Sequence, residues 1–409
     1  MIQKVTIEEF LSLAAHYPVI DVRSPGEFNH AHIPGAHSVP LFSDEERKVV
    51  GTTYKQQSRE GAIKTGLEYF GAKMKGMVEE VEGIVSNRES VVGSRESKVR
   101  SRESGVSAKN FDANTPTPDS GLRTPDTLLI HCWRGGMRSA GVAWLLDLYG
   151  FKVYTLIGGY KAFRKWVLAQ FEKTYRFNII GGYTGSGKTK LLHELGRQGL
   201  TIIDLEALAC HKGSAFGALG EKSQPKQEMF ENLLALEIWC KSGVGSRESG
   251  ASAKNYDAIT PTPDSRLQTP DCIWLEDESQ RIGNLQIPMA LWNTMRKSPV
   301  YFVDIPFEER LQYITGEYGK FDKERLVNAI IRIQKRLGGL ETKNAIGHLL
   351  ENDHKACFRI LLRYYDKWYE KALHNREDLD ALLNKISCDN VDSIVNAKKL
   401  LSCLNAVSL

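Results

Sequence analysis

RFNIIGGYTGSGKTKLLHEL, residues 176–195, is the stretch from which the fold follows. It opens with an apolar strand at Phe177–Ile180, passes through Gly182-Tyr183-Thr184-Gly185-Ser186-Gly187-Lys188-Thr189, and continues as an amphipathic helix over Lys188–Leu195. G-x-x-x-x-G-K-T between a strand and a helix is a phosphate loop. Gly182, Gly185 and Gly187 let the backbone amides of Gly185 to Thr189, Ser186 included, point inward on a phosphate chain. Lys188 neutralises the terminal phosphates, and the Thr189 hydroxyl is suited to ligate Mg2+. Such a loop needs a carboxylate at the end of a neighbouring strand. Ile273-Trp274-Leu275-Glu276-Asp277-Glu278 supplies an apolar strand ending in three acids. Glu276 and Asp277 are the first choice for the metal side, with Asp204, after Thr201-Ile202-Ile203, as a competitor. The loop does not specify a nucleotide, because any diphosphate ester presents similar oxygens.

Upstream lies a second strand–loop–helix unit. Thr127 to His131 form a buried strand that runs into Cys132, and an amphipathic helix begins near Met137. Between them, backbone N–H groups from Trp133 to Arg138 can curl around the sulfur, and the helix N-terminus adds positive potential. Gly135 and Gly136 permit the backbone angles this needs, and Arg134 and Arg138 add charge for an anionic donor. Cys132 is therefore predicted to be a nucleophile of lowered pKa rather than an inert buried thiol. With Asp21-Val22-Arg23, Glu27-Phe28 and His32-Ile33-Pro34-Gly35-Ala36, the run Cys-Trp-Arg-Gly-Gly-Met-Arg-Ser at 132–139 resembles a rhodanese domain. That resemblance implies an α/β fold whose loop cysteine carries a persulfide or its selenium analogue. One departure stands out: five residues separate Cys132 from Arg138, one more than in the usual sulfurtransferase loop. The longer spacing resembles rhodanese-fold phosphatases and suits a larger anion.

Around these two modules, 409 residues predict two or three domains. The expected organisation is α/β: a rhodanese-like domain over 1–173, a P-loop NTPase-like parallel-sheet domain over 174–305, and a mainly helical C-terminal region over 306–409. The third is either a unit of its own or part of the second. A repeat, SRESGVSAKNFDANTPTPDSGLRTPD at 101–126 and SRESGASAKNYDAITPTPDSRLQTPD at 246–271, differs at five aligned positions. It is too polar to form folding units and is read as two flexible insertions, about 87–126 and 242–271. Charged residues at 25% and hydrophobic ones at 42% exclude global disorder and fibrous architectures. No apolar run is long enough to cross a bilayer, and Glu8 and Glu9 interrupt any N-terminal leader, so the cytoplasm is expected and no membrane partner. A net charge of +4 neither announces nor excludes nucleic acid. Seven scattered cysteines without a C-x-x-C pair argue against disulfide and zinc frameworks.

Beyond Pro299 come the strand VYFVDI and helical patterns at 307–318, 323–337, 345–352 and 355–373. Arg325, Arg332, Lys335 and Arg336 form either a basic strip for a phosphate backbone or an ordinary solvated face. The aromatic series Tyr364–Tyr369 is read as core rather than a base-stacking platform. His211–Gly217 is a glycine-rich loop that could line a ligand.

The order of modules, with CWRGGMRS, GGYTGSGKT, HKGSAFG and WLEDESQRIG in succession, resembles the bacterial tRNA 2-selenouridine synthases over the whole chain except the insertions. The resemblance implies an enzyme acting on wobble 2-thiouridine, position 34 of the tRNAs for Lys, Glu and Gln. Its sulfur would be alkylated by geranyl diphosphate and the geranylthio group then replaced by selenium from selenophosphate. No permanently bound cofactor is implied beyond Mg2+, and an enzyme supplying selenophosphate is a possible partner. On this reading the diphosphate sits on Gly185–Thr189, and Arg134 and Arg138 hold the donor's phosphate beside Cys132. A rhodanese-type sulfurtransferase or phosphatase with an attached regulatory NTPase domain is the rival.

Overall fold

The apolar run at Thr127–His131 does not alternate, which marks a strand covered on both faces. In a computed structural model, which describes residues 2–103, 126–242 and 272–407, it is the middle strand of a parallel sheet. The elements of this first unit are β1 (Gln3–Val5), α1 (Ile7–Ala14), β2 (Val19–Asp21), α2 (Pro25–His30), β3 (His37–Ser38), α3 (Asp44–Gln56), α4 (Arg59–Glu103), β4 (Thr127–His131), α5 (Met137–Tyr149) and β5 (Lys152–Leu156). The sheet order is β1-β5-β4-β2-β3, every pair parallel, with Leu129 opposite Val19 on one side and Tyr154 on the other. Leu128, Leu129 and Ile130 are fully buried. β4 and β2 deliver Cys132 and Asp21–Arg23 to the carboxyl edge, where open parallel sheets hold ligands.

The second unit has its own parallel sheet. Its elements, after the joining helix α6 (Gly159–Phe171), are β6 (Arg176–Gly181), α7 (Lys188–Arg197), α8 (Leu205–Ala209), α9 (Gln227–Lys241), β7 (Cys272–Glu276), β8 (Arg281–Ile282), β9 (Leu285–Gln286), α10 (Met289–Arg296) and β10 (Val300–Asp304). There follow α11 (Phe307–Tyr318), α12 (Lys323–Leu337), α13 (Gly339–Leu350), α14 (His354–His374), α15 (Leu379–Leu382), β11 (Leu383–Ser387) and α16 (Ser393–Val407). The order is β11-β10-β6-β7, all parallel, so the phosphate-loop strand β6 lies between β7 and β10. One compact unit runs through Trp166 and the other starts at Val167, inside α6.

The region from 306 on is mainly helical, as expected, and β11 adds the edge strand of the sheet, five residues in register with β10, so this region belongs to the phosphate-loop unit. One expectation changes. The first insertion does not begin as a loop at 87, since α4 stays helical to Glu103. The Arg, Glu and Lys between its serines are good helix formers. The rest of that insertion and residues 243–271 of the second lie outside the described residues. Among the described residues no helix is long and apolar enough to cross a membrane.

Candidate active site

Cys132 leaves the buried end of β4 and turns into the start of α5. The sequence places its amides where they are needed. The N–H groups of Ser139, Arg134 and Gly136 and the Ser139 hydroxyl, 3.2 Å from Sγ, all bond the sulfur. Burial pushes the thiol up, but these hydrogen bonds outweigh it and hold Cys132 below the ordinary thiol range. The loop is braced from behind by the N-terminus of α6, where Tyr160 N–H donates to the Cys132 carbonyl at 2.8 Å and Lys161 N–H to that of Trp133 at 3.0 Å. Only glycine fits at 159, because a Cβ there would stand 2.3 Å from the Cys132 oxygen.

The arginines divide. Arg134 is exposed with Trp133 and Met137 at the loop rim, as an anion site requires. Arg138 instead donates to Glu27 Oε2 at 2.9 Å, and Arg47 pairs with the same carboxylate at 2.9 Å. Burial raises Glu27, but Arg138 first among its partners brings it below the ordinary carboxylate range. Expected on the donor's phosphate, Arg138 is held by a residue of the Glu27-Phe28 motif and fixes the loop's far end. Asp21 and Arg23 are buried beneath, joined by bonds of 2.6–3.0 Å, with the Arg23 guanidinium 3.8 Å over the Tyr160 ring. They support the loop and do not face its mouth.

In the second unit the phosphate loop follows β6 directly. Gly187, with φ +72°, caps α7, a backbone angle other residues rarely adopt. Lys188 Nζ reaches the Gly182 carbonyl at 3.1 Å, and Thr189 Oγ1 donates to Glu206 Oε2 at 3.1 Å. Ser186 is buried beneath the loop. The loop's first half is clamped from the C-terminal helices. Arg310 on α11 donates to the Thr184 carbonyl at 3.0 Å and is held in a fork by Asp366 of α14, both bonds 2.8 Å. One turn on, the Tyr369 hydroxyl accepts the Gly182 N–H at 3.0 Å and donates to Asp277 Oδ2 at 2.7 Å.

The metal-side expectation is half corrected. Glu276 sits as expected, but Asp277 is turned away into a buried ion pair with Arg376. The carboxylates that gather beside Thr189 are Glu206, Glu276 and Glu278, with ligand oxygens within 4.8 Å of one another. β7 ends at Glu276, and a tight turn in which Glu278 N–H donates to the Glu276 carbonyl at 2.9 Å brings the two glutamates together while Asp277 pairs with Arg376. The three acids of WLEDES could not be told apart in sequence, and Glu206, on a short helix after the competing Asp204, carried no signal. Asp204 itself caps α8, accepting from Ala207 N–H at 2.8 Å, and pairs with His193 at 2.7 Å. Burial raises all three glutamates, and neighbouring carboxylates add to it, Asp204 on Glu206, and Glu206 on both Glu276 and Glu278. Glu206 is pushed up to about 7 and Glu278 to about 8, with Glu276 also well above the ordinary range, against the opposing pull of Lys188. Glu276 Oε1 is buried with no hydrogen-bond partner. Hard carboxylate oxygens, a hydroxyl and an orphaned buried oxygen are the donor set of a cation such as Mg2+.

Phosphate loop and carboxylates line one cavity of about 640 Å³. Its other walls come from the 211–217 loop, through Lys212 to Ser214 and Phe216, and from α14. All four aromatics of the 364–369 series line this cavity: Tyr365 and Tyr369 are held by hydrogen bonds to Ala215 N–H and Asp277, and Tyr364 and Trp368 have Arg336 beside them. Arg325, Arg332 and Lys335 lie exposed on the same helix as Arg336.

Two families match this chain. One, described as the tRNA 2-selenouridine synthase AAA domain, covers residues 175–248 and 262–399, and the other, the rhodanese-like domain, covers residues 6–69. The chain is 31% identical over 401 residues to a tRNA 2-selenouridine synthase from Bdellovibrio bacteriovorus, spanning 88% of this chain and 89% of that protein. The protein of the same name from Hydrogenovibrio crunogenus is 30% identical over 391 residues, 88% of this chain and 90% of its own. That from Cupriavidus pinatubonensis is 29% identical over 388 residues, 86% of this chain and 87% of its own.

Proposed function

The chain belongs to the tRNA 2-selenouridine synthase family, and from that premise we propose that it exchanges the C2 sulfur of wobble 2-thiouridine for selenium in two steps. The substrates are the tRNAs for Lys, Glu and Gln, modified at position 34. In the first step the thiouridine sulfur attacks C1 of geranyl diphosphate. The C–S bond forms, the C–O bond breaks, diphosphate leaves, and the base gives up its N3 proton. In the second, selenium of selenophosphate attacks C2, geranylthiol leaves, and water cleaves the Se–P bond to release phosphate.

The observation that carries this reading is one cavity lined both by the phosphate loop and by an apolar wall of Phe216, Tyr318, Phe358, Leu361 and Leu362. A prenyl diphosphate has this two-part chemistry. Amides of 185–189 and Lys188 face the diphosphate, and their interaction strengthens as charge develops on the leaving oxygen, which lowers the barrier. Glu206, Glu276, Glu278 and Thr189 would hold Mg2+, which when bound supplies Lewis-acid neutralisation of that charge. Arg310, Asp366 and Tyr369 keep the loop open for it. Cys132, whose thiolate is stabilised by surrounding amides, is assigned to the selenium half. It contacts the donor's selenium while Arg134 neutralises the donor's phosphate. A donor this reactive implies an enzyme that makes selenophosphate as a partner.

Mass spectrometry of 2-thiouridine tRNA incubated with the protein, Mg2+ and geranyl diphosphate, with and without selenophosphate, tests the reading. Wild type is expected to geranylate and then selenate. Lys188→Ala should lose the first step, and Cys132→Ser should stall at the geranylated nucleoside. An unchanged tRNA mass together with ATP hydrolysis would instead support the rhodanese-type enzyme with an attached NTPase.

A further inference from the structure

We propose that Trp368 and the basic face of α12 form an RNA platform at the phosphate-loop cavity. A base of the anticodon loop stacks on the indole, and Arg332, Lys335 and Arg336 meet the neighbouring phosphates. The inference rests on the reading of the chain as a tRNA-modifying enzyme and assigns the surface that the RNA occupies.

Helix α14 buries one apolar face, on which Phe358, Leu361 and Leu362 are 3% exposed or less. Trp368 departs from that, at 40% exposed, although it lines the same cavity as Lys188. An indole left this open is a large apolar surface in water, and such surfaces mark recognition sites. Its neighbours are cations. The Arg336 guanidinium is 5.7 Å from the ring centre and Lys371 Nζ 5.5 Å, while Tyr364 meets it edge-on at 6.4 Å.

Arg336 continues a stripe. Arg325, Arg332 and Arg336, at i, i+7 and i+11, share one face of α12, with Lys335 next to it. Among the described residues no carboxylate pairs with any of these four. An unneutralised row of cations beside an open aromatic ring matches single-stranded RNA, whose bases stack on aromatics while its phosphates take the cations. An isoprenoid chain on the same ring would have to strip water from Arg336 and Lys371 with nothing in return. The chemistry agrees, because the base must reach the carbon that bears the diphosphate and so has to enter this cavity.

Binding of an anticodon stem-loop containing 2-thiouridine, titrated over a range of salt, tests the platform alongside the KM for geranyl diphosphate. Trp368→Ala should weaken RNA binding about tenfold or more. Trp368→Phe should recover most of it, and the prenyl diphosphate KM should stay within about twofold of wild type. Arg332→Ala and Arg336→Ala should each reduce the slope of log affinity against log salt by about 0.7. Unchanged RNA affinity in Trp368→Ala overturns the platform while leaving the enzyme reading intact. So does a raised prenyl diphosphate KM with RNA binding preserved, which would place the isoprenoid on the indole. A wild-type protein that binds no RNA overturns both.

Discussion

Cys132 shows how far a single residue can be read before its neighbours are known. Strand, cysteine, paired glycines and helix sufficed to predict a cradle of amides, and the bonds from Arg134, Gly136 and Ser139 supply it. Against the upward push of burial, what lowers the thiol most is the Ser139 hydroxyl, which sits in the first turn of α5 and looks like any helix serine in sequence. Arg138 could not be read correctly, because its partner Glu27 lies 111 residues away. Since the folded thiol is depressed, its thiolate adds stability above the unfolded pKa, and that contribution is lost as pH falls through the folded one. Ultraviolet thiolate absorbance, taken as wild type minus Cys132→Ser, should titrate with a midpoint below the ordinary thiol value. Ser139→Ala should move that midpoint upward. A wild-type midpoint at or above the ordinary value would mean that the amide cradle does not act.

At the scale of elements, one strand end and one helix decide the second site. The end of β7 and the turn after it place Glu276 and Glu278 in the carboxylate cluster with Glu206, and Asp277 against Tyr369 of α14. α14 answers with Asp366 and Tyr369, three residues apart and so on one face, each holding the phosphate loop through one intermediary or directly. The Asp277–Arg376 pair behind them is nearly dry, with side chains 8% and 1% exposed. Removing one partner strands a buried charge. Arg376→Ala should therefore cost ~3–5 kcal/mol in chemical denaturation, and the double change to leucine should cost less than the single one. Tyr369→Phe removes two hydrogen bonds at once and should cost ~1–3 kcal/mol. It should also raise the KM for geranyl diphosphate, because the Gly182 amide loses its anchor. If Arg376→Ala is as stable as wild type, the ion pair is not a support for the loop.

At the scale of the molecule, each unit closes a parallel sheet over its own core, and the second closes only with its last residues. β11 pairs with β10 along five positions, and α16 covers the core cluster of Leu191, Leu192 and Leu195 with Ala397 and Leu400. A chain ending at Asp378 should lose the calorimetric unfolding transition of the phosphate-loop unit while keeping that of the rhodanese-like unit. Retention of both would show that β11 and α16 are dispensable. Sequence alone determined the two α/β modules, Cys132 with its glycine loop, and the phosphate loop from Gly182 to Thr189. Their chemistry is local: a strand, a tight glycine turn and a helix start are contiguous, and backbone amides need no partner from afar. Only the tertiary structure decided that Glu206 and Glu278 replace Asp277, that Glu27 holds Arg138, that α14 clamps the loop and that Trp368 faces the cavity. Those contacts join segments far apart in the chain, and they depend on which way a strand or helix faces its neighbour once packed, a rotation set by the whole core.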